Sequence, residues 1–245
     1  LGGNIRLVIS GASAIDPAAI EGFNRFGITA VQGYGMTEAA PILAAENSRE
    51  RRPGSIGKAI PGVTLAIDEP NADGIGELIA RGPNVMSGYY ENPEETEKTL
   101  AGGWLHTGDL AYTDKDGFVF ICGRKKNVIV LKNGKNVYPE EIEQLISSLP
   151  YVEENMVFGQ PRHENGDEKD LALCAKIVYK PDYMKEILNL SSTDQIEAQI
   201  HQDIDQINSQ LPSYKQIFRL VITDQPMIKT TTGKVKRYEE INHFQ

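Results

Sequence analysis

A buried strand that runs straight into a glycine-bracketed turn constrains the fold of this chain more than any other feature. Residues 28–32 predict a short apolar strand, and Gly33, Gly35, Thr37 and Glu38 follow it along the chain. Open α/β sheets place ligands beyond the carboxyl ends of their strands. The glycines let the backbone approach a ligand, and the carboxylate is a hard oxygen donor for a divalent cation. The pattern also fits a plain strand-to-helix turn, so the motif alone leaves two interpretations.

The sequence around this turn predicts an α/β unit over residues 1–50. Residues 5–10 predict a second strand, and Asp16 and Pro17 stand in the favoured order for the N-cap and first residue of a helix. We also predict a helix over residues 38–45, directly after the glycine turn.

Residues 51–125 have a different texture. Glycine and proline recur every few residues between short alternating runs, and Asp73-Gly74 and Asp116-Gly117 are turn signals. This spacing predicts a small, mostly β, barrel-like subdomain. Its strands are predicted at residues 64–68, 77–81, 110–113 and 118–121.

A compact α+β domain is predicted from residue 126 onward. Asn133-Gly134 is a strong hairpin signal, and Pro139 followed by acidic residues begins a helix. Further apolar residues at helical spacing predict an amphipathic helix whose stripe packs in the core. The members of this stripe are Ile196, Ile200, Ile204, Ile207 and Leu211. Further strands are predicted near residues 156–159, 171–179 and 217–222.

Composition narrows the classes of function. The chain carries 25 basic and 34 acidic residues, a formal charge of −9, which argues against a general nucleic-acid binder. The longest apolar runs are strand-sized and predict no transmembrane segment, while peripheral membrane contact stays open. Cys122 and Cys174 are far apart and are interpreted as buried small hydrophobic residues. Two cysteines so far apart in the sequence favour a reducing, cytoplasmic environment.

A second candidate site lies at residues 104–109, Trp-Leu-His-Thr-Gly-Asp. Asp109, on a turn beside Gly108, can accept two hydrogen bonds from vicinal hydroxyls such as those of a ribose. An Asx-type turn would also explain this pattern. His106 is interpreted as a loop residue, because no second histidine stands at metal-ligand spacing.

Two groups of cations complete the candidates. Arg124, in the run Gly-Arg-Lys-Lys, can bind ribose or phosphate near a domain boundary or can belong to a solvated linker. Lys234 follows Gly233 near the end of the chain and can reach an anionic transition state. This segment is not a Walker A loop, because Val235 stands where Ser or Thr is required. Its alternative interpretation is a flexible basic tail.

Taken in order, these motifs closely resemble those of the adenylate-forming superfamily. That family includes acyl-CoA synthetases, firefly luciferase and peptide-synthetase adenylation domains. The resemblance covers essentially the whole chain. The matching segments are residues 34–38, 104–109, 123–126, 134–141 and 232–234.

The resemblance implies a fold that combines α/β and α+β parts. Residues 1–125 would be the end of a large nucleotide- and acyl-binding domain, with an α/β piece at 1–50 and a small distorted β-barrel at 51–125. Residues 126–245 would be a mobile small α+β domain.

The resemblance also implies a two-step reaction. A carboxylate attacks the α-phosphate of ATP, with Mg²⁺, to give an acyl-adenylate and pyrophosphate. Coenzyme A then displaces AMP and forms a thioester. The segments at 123–129 and 133–143 are similar to those of bacterial long-chain fatty-acid ligases, so a fatty acid is the expected substrate.

Individual roles follow from the same resemblance. Thr37 and Glu38 are expected to act in catalysis at the phosphates, with Glu38 binding Mg²⁺. Tyr34 would stack on adenine, while Asp109 and Arg124 would hold the ribose hydroxyls. The expected nucleotide-binding residues are Gly11, Ala12, Gly33, Tyr34, Gly35, Thr37, Asp109 and Arg124.

Three residues of the carboxyl-terminal part are expected to serve the change between the two steps. Lys234 would neutralise charge that develops between the carboxylate and the α-phosphate, and would then leave so that a thiol can enter. Lys126 falls at the family's hinge. Gly134 would line the tunnel that admits the thiol of coenzyme A.

One family motif does not occur in this chain. The Ser/Thr/Gly-rich loop that grips the β- and γ-phosphates is absent from the sequence. We therefore expect a carboxyl-terminal fragment that cannot form an adenylate by itself.

A fatty acyl-CoA synthetase is the first interpretation. A peptide-synthetase adenylation domain is the second interpretation, although no carrier-protein motif follows residue 245. A non-catalytic nucleotide-binding or docking module is the third. Nothing in the sequence favours luciferase-like oxygenation.

Overall fold

The chain folds into two compact units, Leu1–Lys126 and Asn127–Gln245. The structure is a computed structural model that describes residues 3–11, 15, 17–162, 170–231 and 233–242. The mixed α/β and α+β character predicted from the sequence is confirmed. No helix in this described part is both long and apolar enough to cross a membrane.

The first unit begins with a four-stranded sheet in the order β1-β2-β3-β4. Strands β1 and β2 are parallel, and helix α1 connects them. The remaining pairs are antiparallel. The predicted N-cap Asp16 lies outside the described residues. The bounds are β1 Leu7–Ser10, α1 Pro17–Arg25, β2 Thr29–Gly35, β3 Ile42–Ala45 and β4 Lys58–Ala59.

The helix predicted over residues 38–45 is wrong. A single 3-10 turn covers Thr37–Ala39, and the chain then continues as strand β3. Ala40 adopts the left-handed conformation with φ 49°, which ends the turn. Pro41 cannot donate a helical hydrogen bond and disfavours helix in the residue before it. Antiparallel pairing with β2 decides the structure of this segment.

The second sheet of this unit is an antiparallel meander of β5, β6, β7 and β8. The mostly β character predicted for this part is present, but its outer strands, β5 and β8, do not pair with each other, so the sheet is open and the barrel is not closed. Instead, the Ile56 amide donates to the carbonyl of Val119 at 2.9 Å, which ties β8 to the segment just before β4. The bounds are β5 Thr64–Asp68, β6 Gly76–Arg81, α2 Pro93–Thr99, β7 Leu105–Thr113 and β8 Val119–Arg124.

The second unit is built on a three-stranded sheet in the order β11-β12-β13. Strand β12 is antiparallel to β11 and parallel to β13. A short hairpin of β9 and β10 precedes it, as the Asn-Gly signal predicted. The bounds are β9 Ile129–Val130, β10 Asn136–Val137, α3 Pro139–Ser147, β11 Val152–Pro161, β12 Leu171–Tyr179, α4 Pro181–Glu186, α5 Thr193–Gln210, β13 Ile217–Thr223 and α6 Arg237–Asn242.

Both faces of this sheet are covered. On one face, Val157 and Ala175 belong to a core that includes buried residues of α3 and α5. The predicted stripe of α5 is confirmed, because its four isoleucines are buried there. On the other face, Met156 and Phe158 pack with residues from the carboxyl-terminal segment. Two covered faces explain why the central strand β12 is almost continuously apolar.

Candidate functional site

The parallel pairing of β1 and β2 brings two predicted glycines together. Ser10 and Gln32 are register partners, so Gly11 and Gly33 both follow the paired ends. A Cβ atom added to Gly11 would lie 3.6 Å from the carbonyl oxygen of Gly33. The two backbones therefore approach closely at the edge where an open α/β sheet places its ligand. The neighbouring candidate Ala12 lies outside the described residues.

Gly35 is required by the backbone that faces it. A Cβ atom at this position would lie 1.7 Å from the carbonyl oxygen of Pro41 and 2.8 Å from the Cα atom of Ile42. The amide of Met36 donates to the same carbonyl at 2.7 Å and holds the strands together. The glycine turn is thus a fixed structure in which no side chain fits at residue 35.

We expect Gly35→Ala to lower the free energy of unfolding by at least about 2 kcal/mol, because backbone atoms cannot move aside as a flexible side chain would. Urea unfolding measures the change. Gly22→Ala is the matched control. Gly22 lies in α1 with open space around it, so alanine should raise stability by about 0.5–1 kcal/mol. Equal stability of the two variants would contradict the fixed turn.

Tyr34, Asp109 and Arg124 meet in one hydrogen-bonded group. The Tyr34 hydroxyl donates to Asp109 Oδ2 at 2.5 Å, and Arg124 Nε lies 2.7 Å from Asp109 Oδ1. Asp109 and Arg124 are register partners on β7 and β8, so the sheet itself sets their distance. Asp109 is buried, while Arg124 is partly exposed. A carboxylate can accept several hydrogen bonds, and hydroxyl groups are suitable donors to it.

Burial, reinforced by the Asp109 charge, raises the pKa of Tyr34 far above its ordinary value. The phenol therefore stays protonated and acts as a donor. The ring packs beside apolar residues of both sheets, so its position is fixed from two sides. Donors on both carboxylate oxygens hold Asp109 in one orientation.

No sequence motif assigned a role to Glu77, a buried residue that supports this hydrogen-bonded group. It accepts hydrogen bonds from Gly108 N at 3.0 Å and from Lys125 Nζ at 2.8 Å. Gly108 precedes Asp109, and Lys125 follows Arg124. Glu77 thus fixes the neighbours of both members of the pair. A glutamate inside the apolar run of β6 was the one sequence signal that marked it.

The charge of Glu77 is stabilised where it lies. Burial pushes the pKa of its carboxyl upward, but hydrogen bonds from Lys125, His106 and Gly108 outweigh burial and bring the pKa below its ordinary value. Asp68, Glu77 and His106 lie close enough for their ligand atoms to surround a cation. The Lys125 ammonium already pairs with one oxygen of that cluster, Glu77 Oε2. This ion pair balances the charge of Glu77.

Thr37 and Glu38 lie in the 3-10 turn that follows the glycines. Thr37 is exposed and Glu38 is half-buried. The Tyr89 hydroxyl donates to Glu38 Oε1 at 2.8 Å, a partner that no sequence motif marked. Burial, together with this bond, raises the pKa of Tyr89, so its hydroxyl stays a donor. The bond orients the carboxylate and leaves Oε2 for a further ligand.

Lys126 and Gly134 lie at and after the junction of the units. Lys126 is exposed and is the last residue of the first unit. Gly134 forms the tip of the β9–β10 hairpin with φ 77°, and its amide donates to the Leu131 carbonyl at 2.8 Å. Its left-handed conformation suits glycine, and the absence of a side chain leaves the tip open.

Lys234 is exposed at the end of a tight turn in the second unit. Its carbonyl accepts from Thr230 N at 2.8 Å, and Gly233 takes φ 80° within the turn. The structure therefore brings Tyr34, Asp109 and Arg124 together in the first unit, while Gly134 and Lys234 belong to the second.

Comparison with known proteins agrees with this architecture. The family described as AMP-binding enzyme matches residues 1–90, and the AMP-binding enzyme C-terminal domain matches residues 126–245. The long-chain-fatty-acid–CoA ligase FadD15 of Mycobacterium bovis is 36% identical over 66% of this chain and 26% of its own length. The 4-coumarate–CoA ligase-like 4 protein of Oryza sativa subsp. japonica is 35% identical over 98% of this chain and 42% of its own length.

A solved structure shows the same fold. O-succinylbenzoate coenzyme A synthetase from Bacillus subtilis, in complex with ATP and magnesium ion, superposes with a TM-score of 0.77 and 26% identity, over 98% of this chain and 47% of its own. The chain thus spans between about a quarter and a half of the relatives it matches. Because both family domains match, and the relatives named above are CoA ligases and a coenzyme A synthetase, the chain belongs to the AMP-binding, adenylate-forming enzyme family.

Proposed function

We propose that the natural protein containing this chain is an ATP-dependent acyl-CoA synthetase. The observation that carries the proposal is the buried Asp109 carboxylate, held by Tyr34 and Arg124 beside the glycine turn. This is a prepared acceptor for vicinal hydroxyls at the ligand edge of an open sheet. The names of the relatives, which are CoA ligases, support the same activity.

The proposed reaction has two balanced steps. A carboxylate oxygen attacks the α-phosphorus of ATP, and the bond to pyrophosphate breaks, which gives an acyl-adenylate. The sulfur of coenzyme A then attacks the acyl carbon, loses its proton, and displaces AMP. The products are acyl-CoA, AMP and pyrophosphate, so the protein would be an AMP-forming acid–thiol ligase.

The first unit would hold the nucleotide. Gly33 and Gly35 would let the backbone lie against adenine, with the Tyr34 ring on its face. Asp109 would accept the two ribose hydroxyls, and Arg124 would add a donor. Gly11 and Ala12 would border adenine and the acyl end.

Thr37 and Glu38 would face the phosphates. The donor set fits a magnesium ion, because Glu38 offers a hard carboxylate oxygen that Tyr89 already orients. When bound, Mg²⁺ neutralises phosphate charge. The Thr37 hydroxyl is exposed and can donate to a phosphate oxygen.

Residues of the second unit would act in adenylation first and in thioester formation afterwards. Lys234 would stabilise the negative charge between carboxylate and α-phosphate during adenylation. Rotation about Lys126 would then withdraw Lys234, and the open tip at Gly134 would border the path of coenzyme A. ATP and coenzyme A are intracellular substrates, which fits the cytoplasmic location expected from the sequence.

A fatty acid is the proposed acyl substrate. The FadD15 protein and its Bacillus subtilis counterpart are named long-chain-fatty-acid–CoA ligases. The test is pyrophosphate release by the natural protein across a panel of fatty, aromatic and amino acids with ATP. A response to amino acids alone would favour a peptide-synthetase type of adenylation domain instead.

The isolated 245-residue chain is expected to release no substrate-dependent pyrophosphate. The phosphate-gripping loop of the family is absent from its sequence, and phosphoryl chemistry depends on positioning and charge stabilisation. A coupled pyrophosphate assay measures this, with the natural protein as positive control. Release at a comparable rate would show that residues 1–245 suffice.

A further inference from the structure

The segment that carries Lys234 forms a turn on a short stem, and the stem is bonded to the rest of the second unit rather than being a loose basic tail. We define the lysine turn as residues 229–231 and 233–235, and its stem as residues 227–229 with 235–240. Lys229 and Val235 form an isolated antiparallel bridge at the base of the turn. Inside it, Thr230 Oγ1 accepts from the Lys234 amide at 3.1 Å, which closes the turn on its own backbone.

Glu154 on β11 anchors the entering side of the stem. Its Oε2 accepts from Met227 N at 3.1 Å, and its Oε1 pairs with Lys229 Nζ at 2.5 Å. The Glu154 side chain is only 10% exposed. Both oxygens are therefore used to hold the chain just before the lysine turn.

Glu240 on α6 anchors the leaving side. Its Oε1 accepts from Ile228 N at 2.5 Å, and its Oε2 pairs with Lys176 Nζ at 2.7 Å. The side chains of Glu240 and Lys176 are 3% and 12% exposed. Lys176 is the one cation in the apolar strand β12, and this contact explains its presence there. A buried charge pair of this kind fixes geometry, because neither partner tolerates losing the other.

A third ion pair and an apolar contact complete the attachment of the stem. Arg237 bonds both carboxylate oxygens of Glu143 on α3, at 2.6 and 2.5 Å. Met227 and Val235 pack on the sheet face formed by Met156 and Phe158. The stem is thus attached to β11, β12 and α3, so the Lys234 backbone is carried by the body of the second unit.

We propose that Glu154 and Glu240 are positioning residues for Lys234. They hold the stem so that the Lys234 backbone keeps one position within the second unit. This inference rests on the proposed function. Neither carboxylate would touch the substrate, and each would act through the backbone of the turn.

The test uses Glu154→Gln and Glu240→Gln in the natural protein. Adenylate formation at saturating ATP should fall about 10- to 100-fold, because a displacement of about 1 Å costs that much. The KM for ATP should change less than about twofold, since the first unit holds the nucleotide. Thioester formation from supplied acyl-adenylate should keep its rate. Hydrogen exchange of the 228–236 amides should accelerate.

Glu197→Gln, at an exposed position on α5, is the matched control and should leave every readout unchanged. If Glu240→Gln unfolds, the double variant Lys176→Met with Glu240→Gln removes both charges and gives the same test. Faster exchange with unchanged adenylation would overturn the inference, as would equal loss of both steps. A wild-type protein that forms no adenylate would overturn the proposed function itself, so the two failures are distinguishable.

Discussion

Replacing Lys234 with alanine is expected to lower the rate of adenylate formation about 100- to 1000-fold, the usual cost of removing one donor aimed at developing charge. The ammonium group stands exposed on a turn whose backbone is fixed, so the variant should keep its fold. ATP affinity should change less than about twofold, because the nucleotide contacts lie in the first unit. Single-turnover pyrophosphate release and equilibrium ATP binding measure the two quantities in the natural protein.

Two comparisons make this result specific. Lys236→Ala removes a lysine of the same stem that pairs only locally, with Glu239 at 2.9 Å, and should keep nearly full activity. Thioester formation from supplied acyl-adenylate should survive in the Lys234 variant, because that step follows withdrawal of the lysine. Loss of both steps together would indicate a structural role instead.

Replacing Asp109 with asparagine is expected to raise the Kd for ATP at least about 30-fold. Truncating one partner of a buried, hydrogen-bonded charge pair costs about 2–5 kcal/mol. The change removes the charge that Tyr34 and Arg124 now hold. It also weakens acceptance of the ribose hydroxyls. Calorimetric titration with ATP and its 2′-deoxy analogue measures both effects.

Comparing ATP with its 2′-deoxy analogue isolates the contribution of the ribose hydroxyl to binding. The wild type should prefer ATP over 2′-deoxy-ATP, and the Asp109→Asn variant should lose most of that preference, because the hydroxyl then has no charged acceptor. Asp116→Asn, in an exposed turn beside Arg52, is the matched control and should retain the preference. An unchanged preference in the Asp109 variant would place the ribose elsewhere.

Local signals predicted most of the fold. The Asn-Gly hairpin, the α5 stripe and the strand before the glycine turn depend on neighbouring residues, and each is present. The helix expected at 38–45 failed because Pro41 disfavours it and because pairing with β2, which lies earlier in the chain, sets strand β3. Helix α6 was missed for a related reason, since buried contacts such as Glu240 with Lys176 stabilise it from a distance.

The candidate site, like the fold, was predicted only in part from the sequence. Tyr34, Asp109 and Arg124 could be named from motifs, because the family pattern marks residues that meet the nucleotide. Glu77 and Tyr89 could not, because each contacts another protein group across tens of residues of sequence. A charged residue in β6 was a signal for Glu77, but only the folded structure shows which groups Glu77 and Tyr89 contact.

Transfer of a labelled oxygen tests the central claim most directly. The natural protein would be given a fatty acid labelled with ¹⁸O in its carboxylate, together with ATP and coenzyme A, and the phosphate products analysed by mass spectrometry. Because the carboxylate attacks the α-phosphorus and the thiol displaces AMP, the label should appear in AMP and pyrophosphate should be unlabelled. Label in inorganic phosphate, accompanied by ADP, would show attack at the γ-phosphorus and would contradict adenylate formation.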